Sequence, residues 1–192
     1  MPLIAESERI RIVPGLAAPF FPMRPRHGRA VATISGAINI LKEFTEAGNT
    51  VQPKLNGDRG PLVKMNDRIM IQNRHGSWYN FKVNVRKFSR MPDGTCLDGE
   101  VWKGQFYPFE VLSWNFSSRM TRPVAERAEE AERLCSTFGV EWIFGPVTPG
   151  WIKAHFMHEA WEGFVNKIKG TDYTVLGSAS RESEAWSKHK WV

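Results

Sequence analysis

A lysine, a glycine and an arginine lie close together in the segment KLNGDR, which covers residues 54–59. The amine of Lys54 becomes a nucleophile toward phosphorus once it has lost its proton, as covalent catalysis on a phosphate requires. Gly57 lets the backbone approach a ligand closely, and the guanidinium of Arg59 binds anionic or hydroxyl groups. Taken alone the pattern is weak, because an exposed lysine and arginine beside a turn are commoner.

Five further segments with residue types that suit phosphate chemistry follow in chain order, at 74–76, 97–101, 109–112, 162–167 and 186–190. They supply a basic residue, two acids around a glycine, an aromatic residue, a further acid and two alternating lysines. Strand geometry predicts that Lys188 and Lys190 share one face while His189 and Trp191 share the other. Lysines around one phosphate, with Mg²⁺ held by a carboxylate, are the groups that phosphoryl transfer uses for positioning and charge stabilisation.

The hydrophobic pattern predicts the elements that must position these residues. Helices are predicted at 33–48, 123–138 and 151–160. Extended segments are predicted at 50–55, 62–65, 69–72, 96–103, 105–113, 140–147, 163–168, 173–177 and 186–192. Residues 81–88 fit either a strand or a helix, and five prolines predict a loop-like segment at 1–32. The interleaving of hairpins and helices predicts an α+β fold with mostly antiparallel sheets.

Length and composition limit the class of protein. The 192 residues fit one domain, and 42% hydrophobic and 12% aromatic residues argue against a disordered, collagen-like or coiled-coil chain. The net charge of +6 weakly favours a polyanionic partner. No apolar run reaches the roughly 18 residues of a membrane span, and no signal peptide opens the chain. Two cysteines form neither a disulfide framework nor a thiolate zinc site, so a cytoplasmic location is predicted.

The ordered set of six motifs resembles the covalent nucleotidyltransferase superfamily, which contains ATP-dependent DNA ligases, RNA ligases and mRNA capping enzymes. The similarity runs from about Pro22 to Lys190 and is strongest to small phage-type ATP-dependent DNA ligases. It implies an ATP-grasp-like nucleotidyltransferase (adenylation) domain over 1–192, with mostly antiparallel sheets flanked by helices. Residues 1–32 would be an extended N-terminal segment of that domain.

The resemblance implies a role for each matched residue. Lys54 would attack the α-phosphate of ATP, release pyrophosphate and hold AMP as lysyl-AMP. Glu162 would be a ligand of Mg²⁺, and Phe109 would stack on adenine. The residues that would bind the nucleotide are Gln52, Arg59, Arg74, Glu100, Phe109, Lys188 and Lys190. Arg24, Arg26 and Arg29 would grip a DNA backbone, with a solvated arm as the equal alternative.

The function that the resemblance implies is a minimal, monomeric DNA ligase that seals nicked duplex DNA during DNA repair and replication, with ATP and Mg²⁺. An RNA ligase with the same chemistry and a non-catalytic module that binds DNA nicks or ends are the alternatives. His155 and His158, three residues apart, are interpreted as ordinary surface histidines because no third metal ligand is evident.

Three departures from the family pattern stand out. Asn56 replaces the aspartate of the usual Lys-x-Asp-Gly motif, although an amide still accepts a hydrogen bond. Gln52 occupies the position where many ligases have a glutamate that helps to read adenine. The chain stops two residues after Lys190, which leaves no room for the OB domain that normally follows. Either this is a natural minimal enzyme, with an accessory factor in place of that domain, or it is a fragment of a longer chain.

Overall fold

A computed structural model describes residues 10–13, 16–18, 20–79, 83–176 and 181–192. Within these ranges the strands are β1 (Ile10–Val13), β2 (Leu16–Ala18), β3 (Pro25–His27), β4 (Thr50–Leu55), β5 (Asp58–Met65), β6 (Arg68–Ile71), β7 (Thr95–Trp102), β8 (Gln105–Trp114), β9 (Ser117–Ser118), β10 (Trp161–Lys167) and β11 (Ser183–Lys190). The α-helices are α1 (Ile34–Glu46), α2 (Val124–Phe138) and α3 (Pro149–His155), and a 3₁₀-helix covers Arg86–Phe88.

The strands form two larger sheets and a two-stranded ribbon of β1 and β2. Sheet I has the order β3-β11-β10-β4, and sheet II has the order β6-β5-β7-β8-β9. Among the described strands, β3 and β11 form the parallel pair and every other pair is antiparallel. The predicted α+β class with mostly antiparallel sheets is therefore confirmed.

The core has three layers of apolar contact. A central cluster joins the two sheets through residues such as Leu55 and Phe109. A second cluster packs α2 on sheet II, and a third packs α1 and α3 on sheet I around Phe164. The helices therefore cover the outer faces of the two sheets, and the faces that carry the sequence motifs turn toward each other.

Local signals in the sequence account for most of these elements. The side chain of Thr33 accepts a hydrogen bond from the backbone N–H of Gly36, which caps α1 at its start. The hairpin of β5 and β6 turns at Asn66 and Asp67, whose φ angles of 48° and 57° suit a type I′ turn. Helix α2 ends at Gly139, which has φ 63°. The predicted helices at 33–48 and 123–138 and the predicted β5–β6 hairpin are confirmed.

The N-terminal segment contains more regular structure than its prolines predicted. The strands β1 and β2 pair with each other, and β3 pairs with β11. β3 begins at Pro25 and lies at the edge of sheet I, where a residue without an N–H is tolerated. Pro2, Pro14 and Pro19 lie outside the described residues.

The strand predicted at 140–147 is wrong, because this segment is irregular. Phe144 packs in the central cluster, whereas Val147 packs in the cluster beneath α1. The N–H of Val147 donates to the carbonyl of Val51 at 3.0 Å, and Pro146 has no N–H to donate. The segment crosses from one core to another, so its alternating apolar residues do not indicate a strand.

Two further predictions need correction. The helix predicted at 151–160 ends at His155, because Phe156 is extended and Met157 has a left-handed φ of 60°. The strand predicted at 173–177 reduces to a single bridge between Leu176 and Phe21. Residues 80–82 and 177–180 lie outside the described residues, so the ambiguity at 81–88 is resolved only for its 3₁₀-helical end.

Helices long and apolar enough to cross a membrane are absent from the part of the chain that the structure describes.

Candidate functional site

A cavity of about 410 Å³ lies between the two sheets, and both sheets line it. Gln52 and Lys54 alternate along β4 and both reach the cavity. Sheet I also contributes Lys188, and sheet II contributes Arg59 and other predicted site residues. The residues predicted to bind a nucleotide that line this cavity are Gln52, Lys54, Arg59, Arg74, Glu100, Phe109 and Lys188.

Lys54 and Lys190 lie on either side of Gly163 in adjacent strands. Gly163 is paired with Lys54 of β4 on one side and with Lys190 of β11 on the other. From these two positions the ammonium groups reach the same atom. Nζ of each lysine lies 2.7 Å from Oε2 of Glu162.

The position of Glu162 depends on an irregularity in β10. The register of β10 against β4 shifts between Trp161 and Gly163, which is the signature of a bulge at Glu162. Gly163 has φ 141°, and a Cβ at this position would lie 1.9 Å from the carbonyl oxygen of His189. Only glycine fits here, and its backbone conformation helps to turn Glu162 toward the two lysines.

Arg59 is fixed within the cavity wall by several partners. Its guanidinium donates to both carboxylate oxygens of Asp98, at 3.1 and 2.5 Å. It also donates to the carbonyl of Met23 and to the hydroxyl of Tyr173, and the Tyr173 hydroxyl donates to Asp98 at 2.7 Å. Burial opposes the charge on Arg59, but Asp98 outweighs it and raises the pKa of the guanidinium. Arg59 is therefore a permanent, rigidly held cation.

One end of the cavity is closed by aromatic rings and a buried lysine. Phe109 packs edge to face on Phe144, with ring centroids 5.5 Å apart. Nζ of Lys167 lies 4.6 Å from the Phe109 ring centre and 4.2 Å from the Trp186 ring centre. Burial lowers the pKa of Lys167 even though Glu110 favours its charge. This end suits a flat, partly apolar group such as a nucleobase.

Gln52 is held by internal hydrogen bonds at this closed end. Its Oε1 accepts from Nζ of Lys167 at 2.5 Å, and its Nε2 donates to the carbonyl of Phe144 at 3.3 Å. Lys167 also donates to Glu110, which accepts from Arg127 of α2. The oxygen predicted to accept from adenine is thus already bound to an ammonium group, although a carbonyl oxygen has a second lone pair.

Glu100 is the most perturbed carboxyl group of the cavity. Its side chain is buried, and Oε2 has no hydrogen-bond partner within the described ranges. Burial raises its pKa to about 7, despite the opposing attraction of Lys54 and Arg59. An unpartnered carboxylate oxygen beside cations suits a ribose hydroxyl or a divalent cation.

The remaining predicted cations are spread around the cavity. Lys188 lies 3.7 Å from Glu182, and Arg74 donates to His75 at 3.0 Å. Lys190 does not line the main cavity but a second, smaller one that Glu162 also lines. Lys188 and Lys190 thus share a strand face, as predicted, but line different cavities.

The three arginines predicted to grip DNA each have a carboxylate partner. Arg24 lies 3.6 Å from Glu182, and Arg26 lies 2.5 Å from Glu184. Arg29 donates to both oxygens of Glu43, at 3.0 and 2.6 Å. In this arrangement the three side chains attach the N-terminal segment to β11, its preceding loop and α1.

Asn56, the departure in the nucleophile motif, holds the turn after Lys54. Its backbone N–H donates to the carbonyl of Ala160 at 2.8 Å, and its side-chain Nδ2 donates to the carbonyl of Glu159 at 3.3 Å. These bonds attach the turn to the residues just before Glu162. An aspartate has no donor for the second bond.

Comparison with solved structures relates this arrangement to known enzymes. The ligase domain from M. tuberculosis LigD aligns with a TM-score of 0.63 and 17% identity over 89% of this chain and 60% of that chain. Mycobacterial DNA ligase D complexed with ATP aligns with a TM-score of 0.60 and 16% identity over the same shares, 89% and 60%. An archaeal ATP-dependent RNA ligase aligns with a TM-score of 0.50 and 15% identity, covering 88% of this chain and 48% of that chain.

The chain has the fold of a ligase nucleotidyltransferase domain. Comparisons with protein-family models and with curated protein sequences gave no match. The chain spans about 60% of the length of the first two ligases. The fold implied by the six sequence motifs is therefore confirmed at the level of structure.

Several residues of this ligase-like cavity carry no predicted role. Lys167 is the last residue of the 162–167 segment and lies on the same strand face as Val165. Because Val165 pairs with Gln52 of β4, strand periodicity places Lys167 on the face where Gln52 lies. Asp98 lies two residues before Glu100 on β7, so the two acids share a strand face. From this face Asp98 forms its ion pair with Arg59. Tyr173 gave no signal, because its position depends on a loop that is distant in sequence.

Proposed function

We propose that this chain is a minimal ATP-dependent DNA ligase that acts through lysyl-AMP. The observation that carries the proposal is the placement of Lys54 at a cavity with a fixed arginine, an aromatic end and an unpartnered carboxyl group. The proposal is also supported by the shared fold of a DNA ligase complexed with ATP and of the ligase domain from M. tuberculosis LigD. Residues 1–192 would form one adenylation domain that works as a monomer, alone or with an accessory factor.

In the proposed first step, Nζ of Lys54 forms a bond to the α-phosphorus of ATP. The bond from that phosphorus to the bridging oxygen breaks, and pyrophosphate leaves with the electron pair. The Lys54 ammonium gives up one proton to water before the attack and a second as the nitrogen–phosphorus bond forms. Glu162 orients the nitrogen as its ion-pair partner at 2.7 Å. Arg59 and Lys188 stabilise the negative charge that the nucleotide brings into the cavity.

In the next two steps AMP moves to the nucleic acid. An oxygen of the 5′-phosphate attacks the α-phosphorus, and Nζ of Lys54 leaves with the electron pair and takes up a proton. A 3′-hydroxyl then loses its proton and attacks the 5′-phosphate, and AMP leaves. Arg24, Arg26 and Arg29 are proposed to contact the backbone of the nicked duplex.

Mg²⁺ is the metal that this chemistry implies, because it neutralises phosphate charge when bound. The described residues contain no cluster of three or more His, Cys, Asp or Glu side chains that would hold a metal alone. One or two carboxylates with phosphate and water ligands are sufficient for Mg²⁺. Glu100 fits this role, because its Oε2 lies unpartnered at the cavity. Glu162, the ligand that the family resemblance implies, contacts two ammonium groups and would have to exchange one of them for the metal.

An RNA ligase is the second candidate, and one observation favours it. An archaeal ATP-dependent RNA ligase shares the fold over 88% of this chain. A module that only binds nicks is less well supported, because binding alone does not require Lys54, Glu162 and Lys190 to meet at one atom. The cytoplasmic location stays a prediction.

The test is to incubate the protein with Mg²⁺ and ATP labelled at the α-phosphate, and then to denature it. We expect acid-labile label on the wild-type chain, none on Lys54→Ala, and unchanged label on the matched control Lys42→Ala, whose side chain is exposed on α1. Label that persists in Lys54→Ala would overturn the assignment of the nucleophile. Sealing of nicked DNA compared with RNA-containing nicks then decides between the two ligases.

A further inference from the structure

A second cavity of about 300 Å³ opens beside the first. It is lined by Met157, His158, Trp161, Glu162, Lys190 and Trp191. The main cavity contains Lys54 but neither Glu162 nor Lys190 in its lining. The ion pair between Lys54 and Glu162 therefore forms the boundary between the two cavities, with Lys190 on the far side.

The Trp161 wall of this second cavity packs against the rings of Trp151 and His155, which do not themselves line the cavity. Trp151 stacks on His155, with centroids 4.8 Å apart and planes at 19°. Trp161 meets the Trp151 ring edge to face at 5.4 Å, and His155 lies 6.0 Å from Trp161. Because these rings are mutually packed, their orientations are fixed before any ligand arrives.

Met157 lies at the edge of the same cavity in an unusual conformation. Its φ is 60°, a value that a residue with a side chain rarely adopts, and 61% of its surface is exposed. It follows the abrupt end of α3. A strained backbone that presents a large apolar side chain to solvent is typical of binding sites.

The polar component of the cavity is the lysine that faces the nucleophile. Lys190 has 42% of its side chain exposed, so its ammonium group is accessible from solvent as well as to Glu162. Aromatic faces beside an accessible cation are the combination with which proteins hold single nucleotides of a strand, through stacking and phosphate contact. The nearest reacting atom, Nζ of Lys54, lies just across the shared carboxylate.

We infer that this second cavity binds a nucleobase that has left the duplex stack at the nick, next to the phosphate that reacts at Lys54. The base stacks against the Trp161 and His158 side of the cavity under Met157, and Lys190 pairs with the adjoining phosphate. The inference rests on the proposed ligase function and adds a site for the nucleic acid that is separate from the nucleotide cavity.

The test uses nicked DNA that is already adenylylated at its 5′-phosphate and carries 2-aminopurine in an unpaired nucleotide at one of several positions around the nick, so that duplex stacking does not already quench the base. Stacking on an aromatic side chain quenches this base, so we expect quenching at one or two positions next to the 5′-phosphate. In the double variant Trp161→Ala/His158→Ala the quenching disappears, and the Kd rises about tenfold because one stacked base is lost. The control Phe116→Ala removes an exposed aromatic residue from the turn before β9 and changes neither value.

The outcomes separate this inference from the proposed function. Quenching that survives in the double variant, or that is equal at every position, overturns the second cavity as a base site. If circular dichroism shows that the double variant is unfolded, the single variant His158→Ala takes its place. It removes one ring from an exposed position and should lower the quenching in part. Failure of the wild type to form lysyl-AMP from ATP overturns the ligase function, whereas binding of the adenylylated DNA still tests the cavity.

Discussion

Lys54 and Lys190 approach the same carboxylate oxygen of Glu162 from neighbouring strands, each at 2.7 Å. They flank Gly163 of β10, which lies so close to the backbone of β11 that no Cβ fits there. A carboxylate between two ammonium groups keeps both of them near one point without leaving a net excess of two positive charges there. Burial would raise the pKa of Glu162, but its hydrogen bonds with the two lysines lower it, so the carboxylate stays ionised.

The separation of Lys188 and Lys190 predicts different kinetic defects. We expect Lys188→Met to slow lysyl-AMP formation about tenfold while sealing of pre-adenylylated DNA is less affected. We expect Lys190→Met to slow both reactions about tenfold, because Lys190 contacts Glu162 and also lines the second cavity. Single-turnover rates of lysyl-AMP formation and of sealing are measured for both variants. If the two variants slow the two reactions in the same ratio, the prediction is contradicted.

Gly163 is predicted to be the least replaceable glycine near the site. A Cβ at Gly163 would collide with the backbone of His189, so Gly163→Ala should lower the free energy of unfolding by about 3 kcal/mol. Gly139→Ala is the matched control, because Gly139 also has positive φ but open space around it. It should cost about 1 kcal/mol. Urea unfolding measures the free energy of unfolding of both variants. The bulge interpretation requires a larger loss in Gly163→Ala than in Gly139→Ala.

Asn56→Asp restores the usual family residue but is predicted to impair the site. The substitution removes the donor to the carbonyl of Glu159 and places a carboxylate beside that oxygen. We expect lysyl-AMP formation to fall about fivefold, which corresponds to about 1 kcal/mol for one hydrogen bond. Asn56→Ala, which loses the donor without adding charge, should fall less. Faster labelling of the Asp variant would show that the amide has no positioning role.

The raised pKa of Glu100 predicts a pH-dependent first step. With a pKa of about 7, the carboxyl is mostly protonated at pH 6 and mostly ionised at pH 8. If the ionised form binds the ribose or Mg²⁺, the rate of lysyl-AMP formation has a component that rises about tenfold over this interval. Glu100→Gln should remove that component and flatten the profile. Superimposable profiles for the wild type and the variant would exclude Glu100 as its source.

His189 predicts the acid sensitivity of the fold. Burial, with a smaller contribution from Arg29, lowers its pKa from 6.5 to about 4. Between these values the unfolded chain binds more protons than the folded chain, so the free energy of unfolding falls as the pH drops from 6.5 to 4. The loss attributable to His189 reaches about 3 kcal/mol. Urea unfolding at several pH values should show a shallower slope in His189→Gln, and an unchanged slope would contradict this origin.

Strand periodicity predicted that Lys188 and Lys190 share one face of β11, but only Lys188 lines the main cavity, together with Gln52 and Lys54 of β4. Strand periodicity failed for Glu162. Gly163 pairs with Lys54 and shares its strand face, so in a regular strand Glu162 would face the opposite side. A bulge turns the carboxylate to the side of Lys54, and a bulge depends on the close approach of β11 rather than on local sequence.

Alternation also misled at 140–147, where Phe144 and Val147 belong to two separate cores. The role of Lys167 was hidden for a related reason. Its partner Gln52 lies on the neighbouring strand β4 of the same sheet, whereas Glu110 comes from β8 of sheet II, so only the stacking of the two sheets brings Lys167 and Glu110 together. Local pattern thus predicts strand faces, whereas contacts between sheets require the assembled core.

The ion pairs of the N-terminal segment lower the positive charge that its arginines can offer to DNA. Each arginine proposed to grip DNA must exchange a carboxylate, from Glu182, Glu184 or Glu43, for a backbone phosphate. Such an exchange frees an acidic side chain beside the nucleic acid for every phosphate bound, and that acid recruits a cation of its own. Binding would then release fewer counterions than three free arginines do, and the slope of log Kobs against log salt concentration would be correspondingly shallow.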